Sequence, residues 1–406
     1  MRLRNKKIKF VPFWKKNNLV LKLFNIFGEK NIKLVGGAVR VALNNTKTKD
    51  LDFAVNMRPD LVKQKLEKNK IKFKDKSKGH GTISIFSKDY VIEITSLRKD
   101  IKTFGRKAKV GFINSFEEDA KRRDFTINSI YSDLEGNLFD PFDGVKDLEK
   151  NIIKFIGIPI NRIKEDNLRL LRYFRFVGAY ASNEEQLHLA SLSACVENFS
   201  KIKTLSKERV QIEFNKLLLS KNVGFAFSIL KKHNLLNFLI DGLQKMSDKS
   251  ISSLNELPSE KIIRIAYLIK VTKIKTADLN KNIKIGNSNV VKLQNILSIK
   301  GLIKSANKAK INKYYYGEEV ALTNYKLNQF INKKKVSNKI LNVLKTWTAP
   351  KLPINGDDVI KHKKINGKEI GLVLSKIERW WVKNCFLPER KECLKKLKSI
   401  KLTPRC

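Results

Sequence analysis

The chain has 406 residues, of which 84 are basic and 39 acidic, giving a formal net charge of +45 at pH 7. A 42% hydrophobic content can build genuine cores, and only nine prolines argue against a chain disordered throughout. The length allows roughly two to four domains, and the charge favours a polyanion, nucleic acid foremost, although a lysine-rich proteome would shift the balance the same way. Cys195, Cys385, Cys393 and Cys406 are too scattered for a disulfide scaffold or a zinc knuckle, which fits a reducing compartment. No run of about eighteen apolar residues occurs, which excludes a membrane-spanning helix. The first 30 residues lack the apolar core and cleavage site of a secretory signal. They are basic like a mitochondrial presequence, yet contain more lysine than arginine and no serine.

In chain order, residues 20–30 read as a short helix and 32–35 as a strand running into Gly36 and Gly37, with AVRVALNN as the helix that follows. DLDFAV at 50–55 has the composition of a buried strand, and 60–69 suits a helix. TISIFS at 82–87 and YVIEIT at 90–95 stand two residues apart, the pattern of a β-hairpin. Strands and helices are mixed to about residue 140; beyond 160 the pattern is helical. The apolar spacing predicts one helical run through NRIKEDNLRLLRYFRFVGAY at 161–180, then helices at 183–198, 206–219, 222–232, 259–272, 287–305 and 329–346. The serine-rich stretch 247–260 reads as a linker, and TAPKLPINGDD near 350 as a boundary. Residues 261–345 carry 19 basic against 3 acidic side chains, the composition of a surface that binds a nucleic-acid backbone or of solvated helix faces.

Asp50 and Asp52 lie two apart in a strand, so both carboxylates leave on one face while Leu51, Phe53 and Val55 anchor the other. Paired carboxylates repel unless they face water or a cation lies between them, and this is the geometry that holds Mg²⁺ ions about 3.5–4 Å apart in phosphoryl transfer. A solvent-facing strand edge is the ordinary alternative. Glu93, between Ile92 and Ile94, offers a third carboxylate. Gly36 and Gly37 permit a tight turn close to a phosphate, and Arg40 one turn on can reach the same anion. Arg122, Arg123, Asp124 and Asn128 pair phosphate-neutralising arginines with groups able to recognise a ribose hydroxyl. Helical spacing gathers Arg162, Asp166 and Arg169 and sets Glu165 and Arg169 as an i,i+4 pair. Intrahelical ion pairing alone would give the same pattern.

Taken together, KLVGGAVRVALNNTKTKDLDFAV resembles the opening motif of the class II nucleotidyltransferases, specifically the bacterial CCA-adding tRNA nucleotidyltransferase and poly(A) polymerase family. EEDAKRRDFTINSIYSD, DPFDGVKDLEKNIIKFIGIPINRIKEDNLRLLRYFRF, LSKERVQIEFNKLL and LPINGDDVIKHKKINGKEIGLVLSKIERWW resemble its later motifs, in the family's order. The resemblance implies an α+β chain: a polymerase-beta-like nucleotidyltransferase head with mixed sheet and helices (1–148), then an all-α neck with a nucleotide-selecting helix (149–246), a basic body (247–348) and a tail (349–406), the last two binding tRNA. It implies Asp50 and Asp52 as Mg²⁺ ligands, with Glu93 a third catalytic carboxylate. Gly36, Gly37 and Arg40 match the family's triphosphate turn, Arg122, Arg123, Asp124 and Asn128 its nucleotide-holding segment, and Arg162, Glu165, Asp166 and Arg169 its base-selecting element.

The activity so implied is template-independent addition of C, C and A to tRNA from CTP and ATP. KGHGTISIF at 78–86 and the long stretch between Glu93 and Arg122 resemble the CCA-adding pattern. A poly(A) polymerase, a relative restricted to CC or A addition, and a non-catalytic RNA-binding protein are the alternatives. The family's usual Asp after the turn arginine is Val41 here, which removes a hydrogen-bond acceptor near Arg40. None of the four histidines precedes an aspartate, which argues against a metal-dependent phosphohydrolase domain. LRYFRFVGAYASN most resembles alphaproteobacterial versions and their mitochondrial relatives, so the expected location is a bacterial cytoplasm.

Overall fold

The computed structural model describes residues 12–75, 81–104, 107–363, 365 and 367–400. The basic N-terminal stretch 1–11, residues 78–80 of KGHGTISIF, Gly105 and Arg106, residues 364 and 366 of the tail motif, and Cys406 lie outside the described residues. The chain divides into two compact units, one reaching residue 256 and taking in 281–284, the other made of 257–280 and 285–406.

The first unit opens with α1 (Asn18–Phe27), whose N-terminus is capped by the Asn17 side chain accepting from Leu19 and Val20 N–H at 3.0 and 3.2 Å. Its apolar face, Val20, Leu23, Phe24 and Phe27, is buried, and Phe24 meets Phe53 edge to face at 6.0 Å. Then come β1 (Ile32–Val35), α2 (Gly37–Leu43), β2 (Asp50–Val55), α3 (Pro59–Lys68), β3 (Lys74–Asp75), β4 (Thr82–Phe86) and β5 (Val91–Ser96). A ribbon of β6 (Arg98–Phe104) and β7 (Lys107–Phe112) follows, then α4 (Phe116–Lys121), β8 (Tyr131–Ser132), β9 (Leu138–Phe139) and α5 (Gly144–Glu149).

The sheet runs β3-β4-β5-β2-β1-β8-β9, with β6 and β7 pairing apart from it. The β4–β5 hairpin forms as the spacing predicts, with Ile83 opposite Ile94. What spacing did not give is the parallel pairing of β5 with β2, which sets Glu93 beside Asp52. In β2, Leu51, Phe53 and Val55 are buried on one face, while the other carries Asp50, Asp52 and then the buried Ala54, so the strand is fixed by its core face and offers carboxylates on the other.

The helices of this unit continue with α6 (Pro159–Glu165), α7 (Leu168–Tyr180), α8 (Leu189–Asn198), α9 (Lys207–Leu218), α10 (Val223–Lys232), α11 (Leu236–Leu239) and α12 (Asp248–Ser252). The single run expected over 161–180 is therefore broken: Asp166 is extended, with φ −154° and ψ 110°, between α6 and α7. The serine-rich stretch expected as a linker folds as α12 and a 3-10 turn, with Ile251 and Leu254 buried and Asn255 Oδ1 accepting from Gly224 N–H at 2.8 Å.

The second unit is helical: α13 (Lys261–Thr272), α14 (Thr276–Asn282, whose last two residues belong to the first unit), α15 (Asn287–Ser298), α16 (Ala306–Tyr316), α17 (Glu318–Ile331) and α18 (Asn338–Thr346). α19 (Gly356–Lys363), α20 (Lys368–Lys383) and α21 (Arg390–Ser399) complete it, around a core of Val359, Ile377, Trp381 and Leu397. The helix expected over 287–305 stops at Ser298, and the one expected over 329–346 divides between α17 and α18, where Lys333 takes φ +51°. α17 escaped the apolar pattern because it buries polar residues. Asn324 donates to the Ile296 carbonyl at 2.7 Å and Asn328 to Asn324 at 2.9 Å, which satisfies both amides away from water.

Candidate active site

Gly36 ends β1 with φ +71° and ψ −119°, a conformation open to glycine and costly for any residue with a Cβ. A Cβ at Gly36 or Gly37 would also stand 4.0 Å from the Asp52 carboxylate, so the turn brings backbone directly over the proposed metal ligand. Asp52 and Glu93 are register partners on adjacent parallel strands, and their side chains leave the same face. The walls around Asp52 withdraw it from bulk water and Glu93 adds repulsion; together these raise its carboxyl above the usual range against the opposing charges of Arg123 and Arg40.

The segment between α4 and β8 is held by a buried carboxylate that sequence reasoning missed. Asp119 accepts from Arg122 Nε at 2.8 Å, from Arg123 Nη2 at 3.0 Å and from the Tyr131 hydroxyl at 2.8 Å. Burial alone would raise its pKa, but the two guanidiniums and the Tyr131 hydroxyl outweigh burial and lower it to about 2. Its i,i+3 and i,i+4 spacing to the two arginines was the available signal.

Asp124 belongs to the same segment. Its Oδ1 accepts from Asn128 Nδ2 at 2.6 Å and its Oδ2 from Arg172 Nε at 2.6 Å. Burial pushes this carboxyl up, and Arg172 and Asn128 more than reverse it, holding it far below the ordinary value. Asn128 Oδ1 in turn accepts from Arg40. Phe125, fully buried against Phe155 at 4.7 Å and Phe176 at 5.3 Å, fastens this segment to α7. Gly144 fastens it to α5, since a Cβ there would fall 2.2 Å from the Thr126 carbonyl.

At the break between α6 and α7, Glu165 Oε2 meets Arg162 at 3.0 Å and Arg169 at 2.5 Å. Arg169 also donates to the carbonyls of Arg162 and Arg122, at 3.0 and 3.1 Å. Three of its five N–H groups are thus engaged. Asp166 Oδ1 accepts from Leu168 N–H at 3.0 Å and its Oδ2 from Arg209 at 2.7 Å.

These parts face one cleft of about 610 Å³, lined by Gly36, Gly37, Arg40, Asp52, Arg122, Arg123, Asp124, Asn128, Asp166 and Arg169. Asp50, Glu93, Arg162 and Glu165 stand outside that lining; the last two act on it by gripping Arg169. Arg98, Arg172, Arg175, Phe176 and Arg209 line it too and were not singled out from sequence. Arg172 and Arg175 lie one and two turns beyond Arg169 on α7, a spacing that could have found them. Burial lowers Arg175 to about 10, Glu213 opposing this, so it stays charged at neutral pH. Among the described residues eight arginines and three aspartates line the cleft. That surplus suits a polyphosphate.

The three strand carboxylates are hard oxygen donors, and the repulsion between Asp52 and Glu93 is what a divalent cation would neutralise. Among the described residues no three His, Cys, Asp or Glu side chains close around a point. Mg²⁺ typically takes one or two carboxylates and completes its shell with water and substrate phosphates, so the donor set fits.

A carboxylate-bearing strand beside a glycine turn and an arginine-lined cleft defines a metal-dependent nucleotidyltransferase. The chain matches the Poly A polymerase head domain over residues 32–154 and the probable RNA and SrmB-binding site of polymerase A over 186–246. It is 30% identical over 390 residues to the human mitochondrial CCA tRNA nucleotidyltransferase 1, covering 93% of this chain and 89% of that protein. It is likewise 30% identical to a CCA-adding enzyme of Ligilactobacillus salivarius, with 85% and 86% covered. The Bacillus stearothermophilus CCA-adding enzyme in complex with CTP superposes with a TM-score of 0.79 at 25% identity, over 95% of this chain and 96% of that one. The chain belongs to the family of CCA-adding tRNA nucleotidyltransferases and poly(A) polymerases.

Proposed function

We propose that this protein adds C, C and A in turn to the 3′ end of tRNA, using CTP and ATP and releasing pyrophosphate. The observation that carries the reading is the convergence on one cleft of Asp52, the Gly36–Gly37 turn and the Asp166–Arg169 corner. Asp50 and Asp52 would hold Mg²⁺, with Glu93 beside them; when bound, the ion would polarise the α-phosphate and ease ionisation of the primer hydroxyl. The 3′-oxygen attacks the α-phosphorus, the bond to the bridging oxygen breaks, and pyrophosphate departs in line.

The chain's own part is positional. Arg40, Arg123 and the α7 arginines neutralise the triphosphate, and the Gly36–Gly37 turn admits it close to backbone. Asp166 accepts from the exocyclic amine of cytosine or adenine while Arg169 donates to the neighbouring ring nitrogen. Uracil and guanine present the opposite pattern. We assign catalysis to residues 1–148, base selection to 149–246 and tRNA binding to the helical remainder, where the basic surplus lies. No helix among the described residues is long and apolar enough to cross a membrane. A bacterial cytoplasm is the location we propose, supported by bacterial CCA-adding relatives such as that of Ligilactobacillus salivarius.

Magnesium-dependent incorporation of radiolabelled CTP and ATP into tRNA lacking its last three nucleotides tests this. Exactly three additions ending in A are expected. A long adenylate ladder on unrelated RNA would reassign the chain to poly(A) synthesis, and no incorporation would leave RNA binding alone.

A further inference from the structure

We infer that Arg209 is a specificity-determining positioning residue that acts through Asp166; this rests on the reading of Asp166 as the acceptor for the base amine. Asp166 sits in the break between α6 and α7 with an extended backbone, and its carbonyl accepts from the Arg169 N–H at 3.0 Å, which holds the backbone and leaves the side chain to be oriented. An aspartate's terminal torsion is broad and roughly two-fold, and a carboxylate free to rotate would offer its lone pairs in many directions. Here both oxygens are tied: Oδ1 to the Leu168 N–H at 3.0 Å and Oδ2 to Arg209 Nη2 at 2.7 Å. The plane is thereby set, and each oxygen retains a lone pair for a ligand.

The brace comes from a rigid element. Arg209 lies in the first turn of α9, whose Val210, Phe214 and Leu217 are buried. The same segment grips the neighbouring residue, because Asn167 Nδ2 donates to Thr204 Oγ1 at 3.1 Å and Thr204 donates to the Lys201 carbonyl at 2.8 Å. Two contacts from residues 204–209 therefore hold the two non-helical residues of the corner. Arg209 and Asp166 retain 20% and 27% side-chain exposure, so losing the pair leaves the fold close to its original stability. What changes is the direction in which the acceptor points, and that direction separates an amine from a carbonyl.

The test measures kcat/KM for CTP, ATP, UTP and GTP with the full-length protein on tRNA lacking CCA and on tRNA lacking only the final A. The variants are Arg209→Ala, Arg209→Lys, Asp166→Ala and the double Asp166→Ala/Arg209→Ala. Arg209→Ala should raise UTP relative to CTP by about fivefold or more, the lower end of what one bidentate base contact discriminates. Arg209→Lys, which keeps the charge and loses the planar fork, should fall between. Once Asp166 is alanine, removing Arg209 should change the ratio no further, whereas tRNA affinity and Tm should hold throughout. An unchanged ratio in both Arg209 variants beside a shifted one in Asp166→Ala overturns the inference alone. An unchanged ratio in Asp166→Ala overturns the base-reader assignment beneath it. Additive effects in the double variant would mean that Arg209 touches the base itself, and would equally overturn a positioning role. Should Arg209→Ala lower Tm, Arg209→Lys decides the matter by the same ratio.

Discussion

Glu165 and Arg169 meet at 2.5 Å across an interruption in the helix that carries them. The i,i+4 pair that sequence spacing suggests is real, yet the residue between them that is proposed to read the base, Asp166, has left the helix altogether. A continuous helix would have pointed Asp166 and Arg169 along one face. With the break in place both residues line the cleft.

Glu165 is accordingly expected to matter for orientation rather than for chemistry. Glu165→Gln keeps the volume and removes the charge that grips Arg162 and Arg169. A charge-assisted hydrogen bond of this kind contributes about 1.5 kcal/mol, so kcat/KM for CTP and ATP should fall roughly tenfold. Lys164→Ala, on an exposed neighbouring position, should leave it unchanged. Equal losses in the two variants would assign the effect to helix stability.

The strand carboxylates should behave differently, since their removal touches the reacting centre. Asp50→Ala and Asp52→Ala are each expected to lower addition of both C and A by roughly a hundredfold or more, the scale of several kcal/mol of metal-assisted stabilisation. Filter binding should find tRNA affinity intact, because the basic helices of the second unit, proposed above to bind tRNA, are untouched. Near wild-type turnover of either purified variant in saturating Mg²⁺ would remove that residue from the proposed metal site.

Asp119 offers a prediction about stability. Its carboxyl is lowered to about 2 from an ordinary value of 3.8, and a depressed acid stabilises the fold above its unfolded pKa, losing that contribution as pH falls through the folded one. The shift corresponds to about 2 kcal/mol, present above about pH 4 and gone near pH 2. Asp119→Asn also leaves Arg122 and Arg123 without their shared counter-charge, so the deficit at neutral pH should be about 3 kcal/mol. Urea denaturation between pH 7 and pH 2.5 checks the sign: the gap between variant and wild type should narrow on acidification. A gap independent of pH would show that packing, not charge, is lost.

How far the sequence carries can be judged residue by residue. Asp50, Asp52 and Gly36 were legible because strand alternation and a required glycine leave local marks. The β4–β5 hairpin was legible for the same reason. The parallel seating of β5 against β2 was not, since nothing local in either strand names its neighbour. Asp166's departure from the helix was hidden by good apolar spacing on both sides of it. α17 was hidden by buried asparagines that pattern reasoning takes for surface. The partners of Asp124 and Asp166, namely Arg172 and Arg209, lie 48 and 43 residues away, beyond any spacing rule.

Val41 brings the last prediction. The family's usual aspartate at this position would give Arg40 or its turn a further acceptor, and its loss reads from sequence as a weakened site. The structure shows Arg40 supported from elsewhere: its Nη1 donates to Asn128 and to the Ile127 carbonyl, its Nε to the Tyr180 hydroxyl at 3.2 Å, and its guanidinium lies over the Phe176 ring at 5.1 Å. Val41 is half-buried in α2, where a new carboxylate has to find its own hydrogen bonds or pay for desolvation. Val41→Asp should therefore leave kcat and nucleotide KM within about twofold of wild type, and lower stability by about 1 kcal/mol. Tyr180→Phe, which deletes one of the supports actually present, should raise KM for both nucleotides instead. Steady-state kinetics with CTP and ATP, beside a thermal melt, decides the point. A marked gain in kcat for Val41→Asp would show that the present supports fall short of what the aspartate supplies.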